Sequence, residues 1–179
     1  MPQPVPPVPQ IPAGYAPAQA DMDLWITDSF SFLATAPVFR AQLQGTEALS
    51  AWTLAKLDTI LEDPYGGWSA VSTGSQAAFS WLCPPGCSGW YEVTMTAEAG
   101  AQAGTSNVWT AIYLDGTPYQ VGSASLGDTF NTSGSSGGVP VPLVGGADYV
   151  QMYIFSTSNV NTPATAGRYP TCEIAWLST

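Results

Sequence analysis

A chain of 179 residues is about one domain in length and can bury a real core. Hydrophobic residues make up 45% of it, only 9% are charged, and three basic residues face thirteen acidic ones for a net charge of −10. That balance argues against nucleic-acid binding, where basic side chains supply most of the affinity, and against an anionic membrane surface. Histidine is absent, which excludes Ser-His-Asp and Cys-His catalysis within one chain.

Neither a membrane span nor a secretory signal is evident in the sequence. No apolar run approaches the roughly 20 residues that cross a bilayer. The N-terminus lacks the basic and apolar regions of a signal peptide. We therefore expect synthesis in a cytoplasm, without insertion into a membrane.

Residues 1–20 form an uncharged stretch with seven prolines. Such a stretch forms neither helix nor ladder and favours polyproline II, which predicts an extended docking arm that lies on another subunit. A disordered tail is the alternative. Residues 21–38 are rich in large apolar side chains. Such a segment is expected to pack on the domain or on a neighbouring chain. The alternative is that these side chains are core residues of an extended first strand. The residues predicted to make assembly contacts are Pro4, Pro6, Pro7, Pro9, Ile11, Tyr15, Trp25, Phe30 and Phe32.

From Phe39 to Thr179 the pattern becomes that of an all-β head. Short strand-like runs alternate with turns rich in Gly and Pro, which predicts a β-sandwich or jelly roll. The predicted strands are Phe39–Gly45, Ala51–Leu57, Trp68–Ser72, Ala77–Cys83, Trp90–Ala97, Val108–Leu114, Tyr119–Ser125, Val139–Val144, Ala147–Ser156 and Thr171–Leu177. Thr46–Leu61 is the only contender for a helix, and its β-branched and aromatic residues favour strand. Asn131–Gly138, rich in Ser and Gly, is predicted to be a flexible loop.

The cysteines lie in two places. Cys83 and Cys87 flank Pro84-Pro85-Gly86 just before a strand, and a disulfide across this small loop is geometrically allowed. Free thiols are the default expectation for a cytoplasmic protein. Cys172 is then expected to be a buried apolar residue. Three thiols without histidine are a poor zinc site, so we expect no metal and no cofactor.

The carboxylates offer the one enzymatic interpretation. Glycoside hydrolysis needs two of them at a set separation, and Asp58, Glu62 and Asp63 are close in sequence and next to Tyr65 and Trp68. A turn whose carboxylates face water is the simpler interpretation, and calcium binding is an intermediate one. We expect that the protein is not an enzyme.

The aromatic residues divide by position. Tyr65, Trp68, Tyr119 and Tyr169 lie in turns and are the candidates for stacking against a ligand, although each taken singly also suits a core. The aromatic residues within strands are expected to be core or subunit contacts. They include Trp109, Tyr113, Tyr149, Tyr153 and Trp176.

Several motifs resemble the jelly rolls of the tumour-necrosis-factor and complement globular-head family. Gly89–Val93, which reads G-W-Y-E-V, resembles the family's G-x-Y-x-[FV] strand, and Ile112–Gly116 resembles its strand-then-turn. Leu143–Met152 is similar to its L-x-x-G-D-x-V-x-L strand with one extra residue, Ala147, and Cys172–Leu177 would be the closing central strand. The resemblance implies a ten-strand jelly roll that forms a homotrimer around a threefold axis, with a structural or adhesive role.

A narrower resemblance covers nearly the whole chain from Met22. The chain is similar to small virion proteins of actinobacterial tailed phages, usually called minor tail or head-fibre proteins. The resemblance is carried in order by Leu33–Gln42, Ala51–Thr53, Leu57–Asp58, Asp63–Gly67 and Gly89–Tyr91. It implies a trimeric head in the virion, bound to other virion proteins through its arm. The head would touch the host from the tail tip or a fibre, with a host-surface glycan as a candidate ligand. A capsid-decorating head fibre of the same fold is the alternative, and a carbohydrate-active enzyme is a third interpretation.

Overall fold

The structure, a computed structural model, describes residues 18–49, 51–99, 106–127, 132–157, 160–162 and 169–179. Within these residues one helix, α1 (Gln19–Ala34), precedes the β-strands. The strands are β1 (Val38–Gln42), β2 (Ala48–Leu49), β3 (Thr53–Leu54), β4 (Thr59–Glu62), β5 (Trp68–Ser69), β6 (Ser80–Leu82), β7 (Gly89–Ala99), β8 (Ser106–Leu114), β9 (Thr117–Val121), β10 (Ser123–Gly127), β11 (Thr132–Leu143), β12 (Tyr149–Ser156), β13 (Val160–Asn161) and β14 (Thr171–Ser178).

The long strands form two antiparallel layers that share one core. The first layer runs in the order β4-β1-β14-β7-β11, and the second runs β8-β12-β6-β5. Strand β10 joins them, because Ala124 pairs with β11 whereas Ser125 pairs with β8. Buried side chains from both layers, such as Val93 and Ile112, belong to one hydrophobic cluster. The predicted all-β sandwich is confirmed.

Strand β7 lies in the middle of the first layer, between β14 and β11. Its alternate side chains Tyr91, Val93 and Met95 are fully buried, as period-two alternation requires of a strand with one face on the core. Gly89 begins the strand where β14 passes so closely that a Cβ would collide with the carbonyl oxygen of Ser178. The predicted central strand, with Tyr91 and Val93 pointing inward, is therefore confirmed.

The expected absence of a helix near the N-terminus is wrong. Residues 19–34 form α1, so the alternative of an extended first strand for residues 21–38 is excluded. The backbone N–H of Ala18 donates a 3.2 Å hydrogen bond to the Asp21 carboxylate, which also suits the positive end of the helix dipole. β-Branched residues are few in this segment, and the apolar residues that suggested a strand are equally compatible with a helix.

Two further strand predictions need correction. Most of the predicted loop Asn131–Gly138 belongs to β11, which pairs with β7 from Thr132 onward through a bulge. Small residues suit this part of β11 because the backbone near Gly122 passes very close to it. A Cβ on Gly122 would collide with the carbonyl oxygen of Ser135. The predicted run Ala51–Leu57 is strand only at Thr53–Leu54.

Candidate functional site

Helix α1 is anchored to one end of the sandwich by its last turn. Phe32 is 2% exposed, and its ring meets Trp176 edge-to-face with centroids 4.8 Å apart. Just beyond the helix, the hydroxyl of Tyr65 donates a hydrogen bond to the carbonyl of Thr35. The backbone N–H of Trp176 donates to the carbonyl of Pro37 at 3.1 Å. These contacts fix the point at which the N-terminal segment leaves the head.

The remainder of α1 presents apolar side chains to solvent. Met22 is 42% exposed, Ile26 50% and Phe30 68%. These three residues follow one another at every fourth position, so they share one face of the helix; we call them the α1 stripe. Leu24, 58% exposed, lies off this face, and Trp25 is half-buried. Large apolar surfaces that face water usually mark a contact with another molecule.

The predicted assembly residues therefore divide into three groups. Phe32 packs on the head, whereas Phe30 is exposed and Trp25 is half-buried. The remaining predicted contacts lie outside the described residues: Pro4, Pro6, Pro7, Pro9, Ile11 and Tyr15.

The four aromatic residues predicted to lie in turns have different surroundings, and two of them lie on strands instead, Trp68 on β5 and Tyr119 on β9. Trp68 stacks on Phe39, with centroids 5.3 Å apart, and packs against the core. Tyr65 holds the end of α1, and half-buried Tyr169 begins the last described range. Tyr119 is 41% exposed on β9, and its hydroxyl donates to the Pro140 carbonyl at 3.2 Å. Of the four, Tyr119 is the one most open to a ligand.

Two of the three candidate carboxylates serve the backbone. Asp58 accepts 2.8 Å hydrogen bonds from the N–H groups of Gln44 and Gly45. Partial burial, the largest single influence, acts to raise the pKa of Asp58, but these hydrogen bonds together lower it below its usual value. Asp63 accepts hydrogen bonds from the N–H groups of Gly67 and Trp68 at 3.1 and 2.9 Å. Both side chains therefore stabilise loops. A general acid of a glycoside hydrolase needs a raised pKa, and the pKa of Asp58 is lowered instead.

Cys83, Cys87 and Cys172 are buried, and none of them forms a disulfide, so the possible Cys83–Cys87 bridge is not present. The Cys83 thiol lies 3.4 Å from the carbonyl oxygen of Cys87, which also accepts a 2.6 Å hydrogen bond from the hydroxyl of Tyr91. Burial raises the pKa of Cys83 to about 11 and that of Cys172 to about 12. The link from Cys83 to Cys87 is thus a hydrogen-bonded brace beneath β7, and the Cys83 and Cys172 thiols stay protonated at neutral pH.

An open groove of about 620 Å³ lies between the start of β7 and the ends of β8 and β11. We call it the Trp90 groove. Its lining includes Trp90, Leu114, Pro142, Leu143, Val144 and Asp148. Trp90 is 44% exposed and Val144 55% exposed, so the apolar wall is open to solvent. Sequence reasoning missed the groove, because its residues come from three separate strands.

A second aromatic surface covers the outward face of β8 and β12. Phe155 lies between Trp52 and Trp109, with ring centroids 5.3 and 5.2 Å away. Beside them Tyr113 and Tyr153 stack at 4.0 Å. These rings are half-buried or exposed rather than part of the core. The signal was present in the spacing, because the aromatic residues of β8 and of β12 are separated by even numbers of positions, which puts them on one face of each strand.

The described residues contain no group of three or more His, Cys, Asp or Glu side chains that could hold a metal ion. In the same part of the chain, no helix is long and apolar enough to cross a membrane.

Comparison with known proteins identifies the fold. No protein-family model and no curated protein matches the chain. Among solved structures, it is similar to the globular domain of zebrafish complement 1qA protein, with a TM-score of 0.51 and 16% identity over 79% of this chain and 96% of that one. Murine APRIL gives a TM-score of 0.51 and 13% identity over 78% and 98% of the two chains. Eiger TNF from S. frugiperda gives a TM-score of 0.50 and 10% identity over 80% of this chain and 92% of that one.

These likenesses show a jelly roll of the tumour-necrosis-factor and complement globular-head kind. The fold class that the motifs of β7, β8 and β12 predicted is confirmed. At such low identity the likeness extends to the fold alone, and the activity has to be argued from this chain's own surfaces.

Proposed function

We propose that this chain is the homotrimeric head of a tailed-phage virion, joined to the particle by its N-terminal segment and placed at the tail tip or a fibre. The observation that carries the proposal is the α1 stripe. It sits on a helix that is anchored to the head at one end and leads directly into the proline-rich residues 1–17. An exposed apolar helix at this position is suited to joining the head to other chains.

Self-association around a threefold axis would cover the stripe. Phe30 is 68% exposed, and an aromatic side chain offers about 150–250 Å², so covering the rest of it removes about 100–170 Å² from water. At 25 cal/mol per Å² this contributes about 2.5–4 kcal/mol per protomer, before the cost of association. Three equivalent stripes that meet at an axis would gain this term three times.

The scarcity of basic residues also favours association through apolar contacts. Arg40 lies 2.9 Å from Glu173, and Lys56 lies 3.4 Å from Glu47, so both described basic side chains pair within the chain. With a net charge of −10 per chain, a trimer must keep its remaining acids apart. An apolar axis with acids on the outer surface satisfies that requirement.

The virion assignment is supported by the ordered motifs from Leu33 to Tyr91, which resemble small phage virion proteins. Host attachment is supported by the aromatic surface of Trp52, Phe155 and Trp109, since sugar rings stack on exposed aromatic faces. The head would then present this surface to the host envelope while the N-terminal segment holds the particle.

Immunogold electron microscopy of the phage that encodes the chain tests this placement. We expect label at the tail tip or a fibre. Label on the capsid would show that the same trimeric head decorates the capsid instead. Absence of the protein from purified particles, measured by mass spectrometry, would overturn the virion assignment.

A pair of variants tests the role of the stripe in assembly. Phe30→Asp places a charge on the stripe, whereas Thr27→Asp places the same charge at an exposed polar residue of α1 outside the stripe. We expect Phe30→Asp heads to be missing from particles and Thr27→Asp heads to be incorporated. Equal incorporation of the two variants would show that assembly of the head into the particle does not depend on the stripe.

A further inference from the structure

We propose that the Trp90 groove binds the proline-rich stretch of this same protein, residues 1–17, in an extended conformation. The proposal goes beyond the virion assignment, because it concerns only the chain's own residues and holds for the purified protein. It names the surface on which the N-terminal stretch rests in the purified protein, before other virion proteins bind the N-terminal segment.

The groove has the chemistry of a polyproline site. Trp90 and Val144 are each about half exposed, and exposed Pro142 continues the apolar wall. Trp90 also carries an indole N–H, which can donate a hydrogen bond to a backbone carbonyl. The one carboxylate in the lining, Asp148, already accepts a 2.8 Å hydrogen bond from the N–H of Val144. The volume of about 620 Å³ lies within the range of ligand sites.

Residues 1–17 have the matching composition. They contain seven prolines and no charged side chain, so polyproline II is their favoured conformation. That helix has no internal hydrogen bonds and leaves its carbonyls free to accept one from an indole N–H. Proline-rich segments are recognised in aromatic-lined grooves because little conformational entropy is lost on binding.

The reach of the chain allows the contact. Phe32 packs on Trp176, and the Trp176 indole nitrogen would lie 2.8 Å from a Cβ on Gly89, which lines the groove. The docked end of α1 and the groove are therefore neighbours. Helix α1 has 16 residues and spans about 24 Å, whereas residues 1–17 can extend to about 53 Å as polyproline II. The stretch can return to its own head or lie on the head of a neighbouring protomer.

Site-specific photo-crosslinking of the full-length protein tests the proposal. Val8, in the middle of the proline run, is replaced by p-benzoylphenylalanine, and the irradiated protein is digested with chymotrypsin because only three Lys and Arg residues are present. We expect the main crosslinked peptides to contain Trp90 or Pro142–Val144. An equimolar mixture of ¹⁴N- and ¹⁵N-labelled protein shows whether the two partners come from one copy or two, and either result supports the proposal.

Two tryptophan variants provide the matched control. Trp90→Ala removes the anchor of the groove, and we expect the yield of groove crosslinks to fall by about tenfold, as for truncation of an anchoring aromatic residue. Trp52→Ala removes a Trp of similar exposure from the other layer, and the yield should stay unchanged. Crosslinks that map elsewhere, or that persist at full yield in Trp90→Ala heads with an unchanged melting temperature, would overturn the proposal. A correct virion location with failed crosslinks would leave the proposed function standing and remove only this contact.

Discussion

Truncation of Phe32 to alanine is expected to release α1 from the head while the head stays folded. The side chain is 2% exposed and meets Trp176 edge-to-face at 4.8 Å. Buried Phe→Ala substitutions cost about 3–5 kcal/mol, of which an aromatic pair contributes about 0.5–1.5 kcal/mol. Phe32 lies outside the main cluster of core residues, so the loss should fall on docking of the helix. Alanine is the better helix former, so the substitution does not weaken α1 itself.

Native-state hydrogen exchange measures this loss residue by residue. A loss of 3–5 kcal/mol accelerates exchange of the α1 amides by about 10²- to 10³-fold or more, up to the limit set by the helix alone. An undocked helix of 16 residues is marginal in water, so that limit lies close to the unprotected rate. Amides of β7 should keep their protection.

Leu24→Ala is the matched control, because Leu24 lies on the same helix but is 58% exposed and off the stripe. Its α1 exchange should match that of the unaltered protein. Unchanged α1 exchange in Phe32→Ala would refute the docking argument. An equal loss of protection in β7 would also refute it, since helix and head would then unfold as one unit.

Three further predictions concern the head. Asp63→Ala leaves two backbone N–H groups without their acceptor and should lower the free energy of unfolding by about 1–3 kcal/mol in urea, whereas exposed Glu62→Ala should change it by less than about 0.5 kcal/mol. The raised pKa values of Cys83 and Cys172, about 11 and 12, mean that the folded state keeps protons that the unfolded thiols lose. Stability should therefore be full below about pH 8.5 and fall as pH rises toward 11, and flat urea midpoints across that range would contradict the assignment. Gly89→Ala should lower the melting temperature strongly, because the new Cβ collides with backbone of β14; an unchanged melting temperature would show that β14 can move aside.

Local patterns were sufficient to predict the central strand and one turn. Alternation places Tyr91 and Val93 on the core side of β7, and that pattern survives in any sandwich. Asp115-Gly116 predicts a tight hairpin turn, and the structure gives both residues a positive φ, 51° and 74°. Both features depend only on residues that are close together in the sequence, so they can be predicted from the sequence alone.

Features that depend on distant contacts were not predictable in the same way. Helix α1 has apolar residues on several sides, and its docking depends on Trp176 at the other end of the chain. The Trp90 groove combines residues of β7, β8 and β11, whose adjacency follows from sheet order and not from spacing. The sequence predicts that Asp63 lies in a turn. It does not predict that the Asp63 carboxylate accepts hydrogen bonds from the backbone N–H groups of Gly67 and Trp68.

The central claim is that the jelly-roll head works as a trimer whose N-terminal helices are covered by association. Sedimentation equilibrium of the purified full-length protein at micromolar concentration tests it most directly. We expect a particle of about 56 kDa, which is three times the 18.7 kDa of one chain. A single species of 18.7 kDa at every concentration would contradict it.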